Sequence, residues 1–119
     1  PLYSSAASDV YKRQIFQSFI FSLSQNFRTH HSVSFYAAEQ CLTPRYFSTI
    51  VREKSGRNAL QWIMMFIIAE AKKLLSDPDP SIKEIAETLG FSNQSFFGRY
   101  FKQYVGLSPM AFRSSGAEE

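Results

Sequence analysis

Two segments of this chain repeat one pattern: a short helix, a tight turn, and a second helix that carries polar residues and ends at a glycine. The first copy runs from Ser32 to Gly56 and the second from Ser81 to Gly106. The copies align with one extra residue in the turn or helix start of the second. Repetition at a period of about fifty residues is a fold-level signal. The chain is therefore predicted to fold as two similar helical units.

The junction between the two helices of each copy has a recurring composition. A small alanine lets the helices approach, and an apolar residue fills the angle between them (Ala37 and Leu42 in the first copy, Ala86 and Phe91 in the second). Thr43 and Ser92 are predicted to cap the second helices, because their hydroxyls can accept hydrogen bonds from the free amides there. Pro44 suits the first helical position, where its missing N–H costs little.

The second helix of each copy has an apolar stripe and a polar face. The stripe consists of Phe47, Ile50 and Val51 in the first copy and of Phe97, Tyr100 and Phe101 in the second. The predicted outward residues are Arg45, Ser48, Thr49 and Arg52, and then Asn93, Gln94, Ser95, Gly98, Arg99 and Lys102. Arginine can grip guanine and a carboxamide can grip adenine in the major groove. A helix-turn-helix presents the start of its second helix there, whereas an ordinary helical hairpin with a solvated polar face is the alternative.

The length and the charge of the chain limit the class of protein to which it can belong. With 119 residues, 45% of them hydrophobic, and twelve phenylalanines, the chain can build a core as one compact unit or two small subdomains. Its formal charge of +3 favours a polyanionic partner only mildly. The distribution is more informative, because no acidic residue occurs between Ser92 and Gly116. The second unit is predicted to turn a basic side toward phosphates, while the acids point elsewhere (Asp77, Asp79, Glu84 and Glu87).

Catalytic and metal sites are not favoured. A single cysteine, Cys41, excludes an internal disulfide and fits a reducing cytoplasm; we interpret it as a small residue packed at the helix junction. His30 and His31 could join Cys41 and Glu39 around a metal, but adjacent histidines on a helix point in different directions. No nucleophile, base and orienting residue occur at a recognisable spacing, and no glycine-rich phosphate loop is present. The chain is predicted to have no catalytic residue, no metal and no cofactor.

The chain divides into five predicted segments. Residues 1–14 resemble translated adapter sequence and are predicted to be a non-native or disordered leader. Residues 15–57 hold an N-terminal helix and the first helix-turn-helix, and residues 58–76 form a linker helix of about 27 Å, close to one DNA turn of about 34 Å. Residues 77–113 hold the second helix-turn-helix and a closing helix, and residues 114–119 are a frayed tail.

Local signals support these boundaries. The two prolines of Asp77 to Pro80 end the linker helix. Ser81 and Glu84 have the spacing of a capping box, and Ser108 with Pro109 suits the start of the closing helix. The longest apolar run, Trp62 to Ala69, is too short to cross a bilayer, which needs about twenty residues. A soluble protein is predicted.

The segment from Ser32 to Arg113 resembles the DNA-binding domain of AraC/XylS-type bacterial transcription regulators. The most specific part is IKEIAETLGFSNQSFFGRYFKQYVGLSPMAFR, which contains I-A-x-x-x-G-F, S-x-F-x-R-x-F-K and G-x-S-P-x-x-F-R in that order. The resemblance implies an all-α fold of about seven helices, with two helix-turn-helix subdomains joined by a long helix. It also implies sequence-specific binding of double-stranded DNA in the bacterial cytoplasm, with recognition helices at about 44–54 and 93–105.

The resemblance also implies a division of roles among the outward residues. Base contacts are expected from Arg45, Ser48, Thr49, Asn93, Gln94, Ser95 and Arg99. Phosphate contacts are expected from Arg52, Lys54, Arg57, Lys102 and Arg113. It further implies RNA polymerase as a partner and a separate upstream sensing or dimerisation domain in the full-length protein. The alternative from another class is a helical protein-interaction module without specific DNA readout.

Overall fold

A computed structural model describes residues 5–116, with side chains described from residue 8 onward, and this part contains seven α-helices and no strand. The helices are α1 (Ser5–Asn26), α2 (Val33–Glu39), α3 (Pro44–Ser55), α4 (Ala59–Ser76), α5 (Ile82–Thr88), α6 (Gln94–Val105) and α7 (Pro109–Ser115). The chain forms two compact units that divide between Met64 and Met65, inside α4. The predicted all-α fold with two helix-turn-helix units and a connecting long helix is confirmed.

The first unit is built around the buried side of α3. Helices α1 and α2 both pack on α3, and Phe19 of α1 lies at the centre of the contact. Its ring centroid is 5.0 Å from that of Phe47 and 5.4 Å from that of Tyr36, both in edge-on geometry. Such aromatic pairs add stabilisation beyond the burial of their surface. The hydroxyl of Tyr36 donates to the carbonyl of His30 at 2.7 Å, and burial raises the pKa of this tyrosine to about 12.

The second unit is built around a row of aromatic rings on α6. Phe97 and Phe101 are fully buried, with ring centroids 5.9 Å apart. Phe91, from the turn before α6, lies 5.3 Å from Phe97, and Phe112 of α7 lies 5.5 Å from Phe101. The turn and the closing helix are thus attached to opposite ends of one aromatic row. Tyr100 is partly buried beside Phe91, and burial raises its pKa above the usual tyrosine value.

Most helix ends have the caps that the sequence predicted. The hydroxyl of Thr43 accepts from the amide of Tyr46, and Ser108 caps α7 in the same way. Ser81 and Glu84 form the predicted capping box. The cap predicted at Ser92 is wrong, because the N-cap of α6 is Asn93. The extra residue of the second copy precedes the cap, so Asn93 and not Ser92 is the counterpart of Thr43.

The two turns share a left-handed residue. Cys41 has φ 58° and its counterpart Gly90 has φ 81°. In each turn the amide of the following residue reaches back to the carbonyl of the small alanine, from Leu42 to Ala37 at 3.0 Å and from Phe91 to Ala86 at 2.9 Å. Cys41 is exposed, so the interpretation of a packed cysteine is wrong. Its position is set by the backbone conformation of the turn.

The ends of the described chain differ from the expected boundaries. Helix α1 begins at Ser5 and not at Ile15, so the predicted disorder is wrong for residues 5–14. That the leader is non-native stays a prediction, and residues 1–4 lie outside the described part. Two ion pairs lie along this first part of the helix: Asp9 pairs with Arg13 one turn later at 3.1 Å, and Lys12 pairs with Glu53 of α3 at 3.1 Å. Helix α7 continues to Ser115, inside the predicted tail, and residues 117–119 are outside the described part.

Helix α4 matches the predicted linker helix within one residue. Asn58 and Gln61 exchange hydrogen bonds at its start, since each side-chain oxygen accepts from the backbone amide of the other residue at 2.8–2.9 Å. The helix ends at Ser76, directly before the two prolines. At 1.5 Å per residue its eighteen residues span about 27 Å.

We predict that Cys41→Gly stabilises the protein by about 0.5–1 kcal/mol. A left-handed conformation costs a non-glycine residue about 1–2 kcal/mol, and the greater freedom of glycine in the unfolded chain offsets part of this gain. The measurement is the midpoint of urea unfolding. The matched control is Gly90→Ala, which places a side chain in the equivalent turn and is expected to destabilise. A lower midpoint for Cys41→Gly would contradict this account of the turn.

Candidate nucleic-acid interface

The outer face of α3 is set by the residues buried on its inner face. Phe47, Ile50 and Val51 have no exposed surface. The rotation of the helix is thereby fixed, and exposed residues line the other side: Arg45, Tyr46, Thr49, Arg52 and Glu53. Arg45, Thr49 and Arg52 were predicted to lie on this face. Tyr46 and Glu53 were not predicted there.

Two predicted base-contact residues of α3 have local hydrogen-bond partners. Ser48 is half-buried, and its hydroxyl accepts from the amide of Ala59 at 3.4 Å. This amide belongs to the first residue of α4 and would otherwise lack a partner within the helix. Ser48 is therefore only partly exposed, and its predicted base contact stays a prediction. Thr49 is exposed, but its hydroxyl donates to the carbonyl of Arg45 at 3.0 Å, which leaves its methyl group as its outermost feature.

The outer face of α6 has more donors. Because Phe97 and Phe101 are buried, the exposed residues of this helix include Gln94, Ser95, Phe96, Arg99, Lys102, Gln103 and Tyr104. Gln94, Ser95, Arg99 and Lys102 lie where the sequence predicted them. The helix contains no acidic residue, so its exposed charges are all positive.

Asn93 has a structural role that the sequence analysis missed. Its side-chain oxygen accepts from the amide of Phe96 at 2.8 Å. That bond uses one of the two lone pairs of the carboxamide oxygen and fixes the orientation of the side chain. The predicted contact of Asn93 with adenine stays a prediction, and it would have to be made while the side chain caps α6.

An open groove of about 360 Å³ lies beside the start of α6 in the second unit. Its lining comprises Lys83, Ala86 and Glu87 of α5 together with residues 92–95. The expectation that the acids all point away from the recognition helix is wrong for Glu87, because it shares this groove with Gln94. A carboxylate can accept from the amino group of cytosine. Glu87 is thus a candidate contact that the charge pattern of the sequence concealed.

The expected phosphate contacts fall into two groups. Arg52, Arg57 and Lys102 are exposed, and the guanidinium of Arg57 lies 5.7 Å from the centroid of the Trp62 ring. Lys54 instead forms an ion pair with Asp9 of α1, and the hydrogen bond from its ammonium group, together with its positive charge, lowers the pKa of that carboxyl. Asp9 also pairs with Arg13, so Lys54 shares its carboxylate partner with a second cation.

Arg113 also has partners within the protein. Its Nε donates to the carbonyl of Leu75 at 3.1 Å, and its Nη2 donates to the carbonyl of Asp77 at 3.0 Å. These carbonyls lie at and just beyond the end of α4, where helical carbonyls lack partners within the helix. The guanidinium therefore holds the end of α4 against α7. Two of its five donors are thus used within the protein, and the expected phosphate contact of Arg113 stays a prediction.

Two exposed aromatic residues were missed by the sequence analysis. Tyr46 is 47% exposed and Phe96 is 50% exposed. Each is the third residue after the N-cap of its helix, Thr43 or Asn93. In the sequence of both copies, an aromatic residue directly precedes the buried phenylalanine. The two aromatic positions are recognised as equivalent only when they are counted from the N-caps that the structure shows.

Other kinds of site find no support among the residues that the structure describes. No three His, Cys, Asp or Glu side chains in residues 8–116 converge as metal ligands would. No helix between residues 5 and 116 is both long and apolar enough to span a membrane.

Comparison with known proteins gives consistent matches. A family model described as a helix-turn-helix domain matches residues 36–115. The arabinose operon regulatory protein of Escherichia coli is 37% identical over 83 residues, which are 70% of this chain and 28% of that protein. Its counterpart from Salmonella typhimurium is 34% identical over 86 residues, 72% of this chain and 31% of that protein. The chain thus spans about a third of the length of these curated relatives.

Solved structures share the fold. The DNA-binding domain of AdpA, described as a global transcriptional factor and solved in complex with a target DNA, has a TM-score of 0.73 at 25% identity; the match covers 84% of this chain and 90% of that one. The C-terminal domain of AraT, a response regulator from Geobacillus stearothermophilus, has a TM-score of 0.77 at 23% identity, with 85% and 84% coverage. The second match concerns the fold alone.

We predict that Asn93→Ala lowers the free energy of unfolding by about 1 kcal/mol, because the amide of Phe96 loses its acceptor. Asn93→Ser is the matched control and should retain most of the stability, since serine caps nearly as well. Urea unfolding of both variants measures the difference. Unchanged stability of Asn93→Ala would mean that Ser92 can serve as the cap after all.

A second prediction concerns Arg113. Arg113→Lys should destabilise the protein by about 1–3 kcal/mol, because an ammonium cannot reproduce two bonds from one planar guanidinium. The exposed Lys102 supplies a control: Lys102→Ala removes a positive charge from α6 and should change stability by less than about 0.5 kcal/mol. Thermal unfolding of the two variants side by side is the measurement, and equal effects would refute the structural role of Arg113.

Proposed function

The chain belongs to the AraC-type family of helix-turn-helix domains, and we propose that it binds duplex DNA sequence-specifically as the DNA-binding domain of a bacterial transcription regulator. This family consists of regulator domains and not of enzymes. The observation that carries the proposal is the outer face of α6, where Gln94, Ser95, Arg99 and Lys102 are exposed on a helix without acidic residues.

The exposed side chains suit both parts of DNA recognition. Arg99 and Gln94 can each form two hydrogen bonds with a base edge, to guanine and to adenine respectively. On α3, Arg45 offers the same chemistry as Arg99, and the methyl group of Thr49 can contact a thymine methyl. We assign base contacts to these four residues and to Ser95.

Phosphate contacts form the second part. Arg52, Arg57 and Lys102 are exposed cations and are assigned to phosphates, which fix the position of the protein on the duplex. Ser48, Asn93, Lys54 and Arg113 are left out of the proposed interface because the polar group of each has a partner within the protein. Thr49 is kept for its methyl group alone, since its hydroxyl is bonded within α3. In this proposal α3 and α6 are the recognition helices, entering successive segments of the major groove.

The rest of the regulator is also part of the proposal. Because the two arabinose operon regulators are about three times as long as their matched segments, we propose a sensing or dimerisation domain elsewhere in the intact protein. RNA polymerase is proposed as a further partner. A bacterial regulator that binds chromosomal DNA acts in the cytoplasm, which is the proposed location.

The experiment that tests this function is selection of bound duplexes from a random pool. Recovery of a common sequence would support specific readout, and two motifs about one helical turn apart would support the use of both units. A single motif would assign readout to one unit. Recovery of no common sequence would favour the alternative of a protein-interaction module.

On the selected duplex we expect Arg99→Ala and Gln94→Ala each to weaken binding by about 1–3 kcal/mol and to relax the preference at one base. Lys102→Ala should weaken binding to all duplexes alike and reduce the slope of log affinity against log salt by about 1.

For the unmodified chain, affinity should fall by orders of magnitude between about 50 and 200 mM salt. Fluorescence anisotropy measures all three effects, and a flat salt response would contradict the proposal.

A further inference from the structure

Phe96 is an exposed apolar residue on an otherwise polar helix face. It is 50% exposed and lies on α6 between the exposed polar residues Ser95 and Arg99. Its ring is held from two sides: the Phe91 ring centroid lies 6.3 Å away, and the Arg99 guanidinium carbon lies 5.6 Å from its centroid. Phe91 is itself buried in the turn. The ring of Phe96 is therefore held in position, and removing its exposed surface from water is energetically favourable.

The contact with Arg99 positions the cation as well. A guanidinium within about 6 Å of an aromatic centroid is attracted to the face of the ring. The guanidinium is planar and its N–H donors lie in its plane. An arginine that stacks on a ring can still offer its edge to a hydrogen-bond acceptor. On the outer side of α6, Phe96 thus offers an apolar surface, and Arg99 beside it offers an edge with two hydrogen-bond donors.

From this geometry we infer that Phe96 and Arg99 act together to read a guanine and a 5-methyl pyrimidine on the adjacent base pair. Guanine offers two acceptors to arginine in the major groove, and thymine offers a methyl group that suits phenylalanine. Successive base pairs are about 3.4 Å apart. The Phe96 ring and the Arg99 guanidinium, 5.6 Å apart, are therefore far enough from each other to contact two neighbouring base pairs. The ligand feature is the methyl group, so thymine and 5-methylcytosine should both be accepted.

The first unit lacks this pair and supplies a matched comparison. Tyr46 occupies the position of Phe96 in α3 and is 47% exposed. Thr49 occupies the position of Arg99, three residues later, so no cation follows the exposed ring. Recognition of the methyl group by an aromatic ring paired with an arginine is therefore assigned to α6, whereas α3 offers the methyl group of Thr49 for a contact with thymine.

The inference rests on the proposed function, and its test begins with a duplex selected by the full 119-residue chain. In that duplex, each thymine next to a guanine is replaced in turn by deoxyuridine, which removes only the methyl group. At one position we expect about fourfold weaker binding, the factor that corresponds to one buried methyl group. At the same position, 5-methylcytosine paired with guanine should bind better than cytosine. Equal affinity for every thymine and deoxyuridine duplex would overturn the inference.

Variants assign the effect to the pair. Phe96→Ala should bind the thymine duplex about fourfold more weakly than the unmodified chain does and should no longer distinguish thymine from deoxyuridine. Tyr46→Ala should retain the full distinction at that position. A Phe96→Ala variant that still discriminates would overturn the assignment, and thermal unfolding shows whether the variant is folded. Thr49→Ser removes the other methyl group that is proposed to contact thymine, and this variant should retain the distinction between thymine and deoxyuridine at that position. Loss of the distinction in Thr49→Ser would overturn the assignment to Phe96 even if Phe96→Ala does not fold.

The two proposals fail in different ways. If selection yields no preferred duplex, sequence-specific binding itself is wrong and the inference falls with it. If a preferred duplex is found and binding is indifferent to the methyl group, only the role of Phe96 is wrong. Arg99→Lys separates the partners further, since it keeps the charge but loses the planar edge and should reduce the preference for guanine.

Discussion

The burial of one phenylalanine on the inner side of each second helix is the contact on which both units depend. Phe47 in α3 and Phe97 in α6 have no exposed surface, and each meets the ring of another element of its own unit. Because a helix turns once in 3.6 residues, fixing one inner side chain fixes the direction of all the others. The outward direction of Arg45 and Arg99 is thus a consequence of how the phenylalanines pack.

The ends of the helices compete with DNA for the same polar side chains. Every helix leaves backbone groups at its ends without partners, and this small protein has seven described helices. Ser48 serves the start of α4, Asn93 the start of α6, and Arg113 the end of α4. What remains for a ligand is a narrower set, half of it on α6, where a positioned aromatic ring accompanies the donors.

Much of the fold could be predicted from the sequence because its signals are local. The Ser81–Glu84 capping box, Pro44 at the start of α3 and the prolines after Ser76 each act within a few residues. The cap of α6 was misassigned because Ser92 and Asn93 are both good caps, and only the path of the turn selects one. The start of α1 was missed because residues 5–14 have little apolar periodicity, and the contact of Lys12 with Glu53 joins residues that are far apart in the sequence.

The sequence by itself determined the two helical units, the inner and outer faces of their second helices, and the presence of exposed Arg45, Gln94 and Arg99, since helical periodicity and capping are encoded in neighbouring residues. Tertiary structure alone decided which polar residues remain for a partner. Arg113 and Leu75 are far apart in sequence, and the groove that includes Glu87 forms only when α5 packs beside α6. Hydrogen-bond partners and grooves depend on which elements meet in space, and a pattern of neighbouring residues does not contain that information.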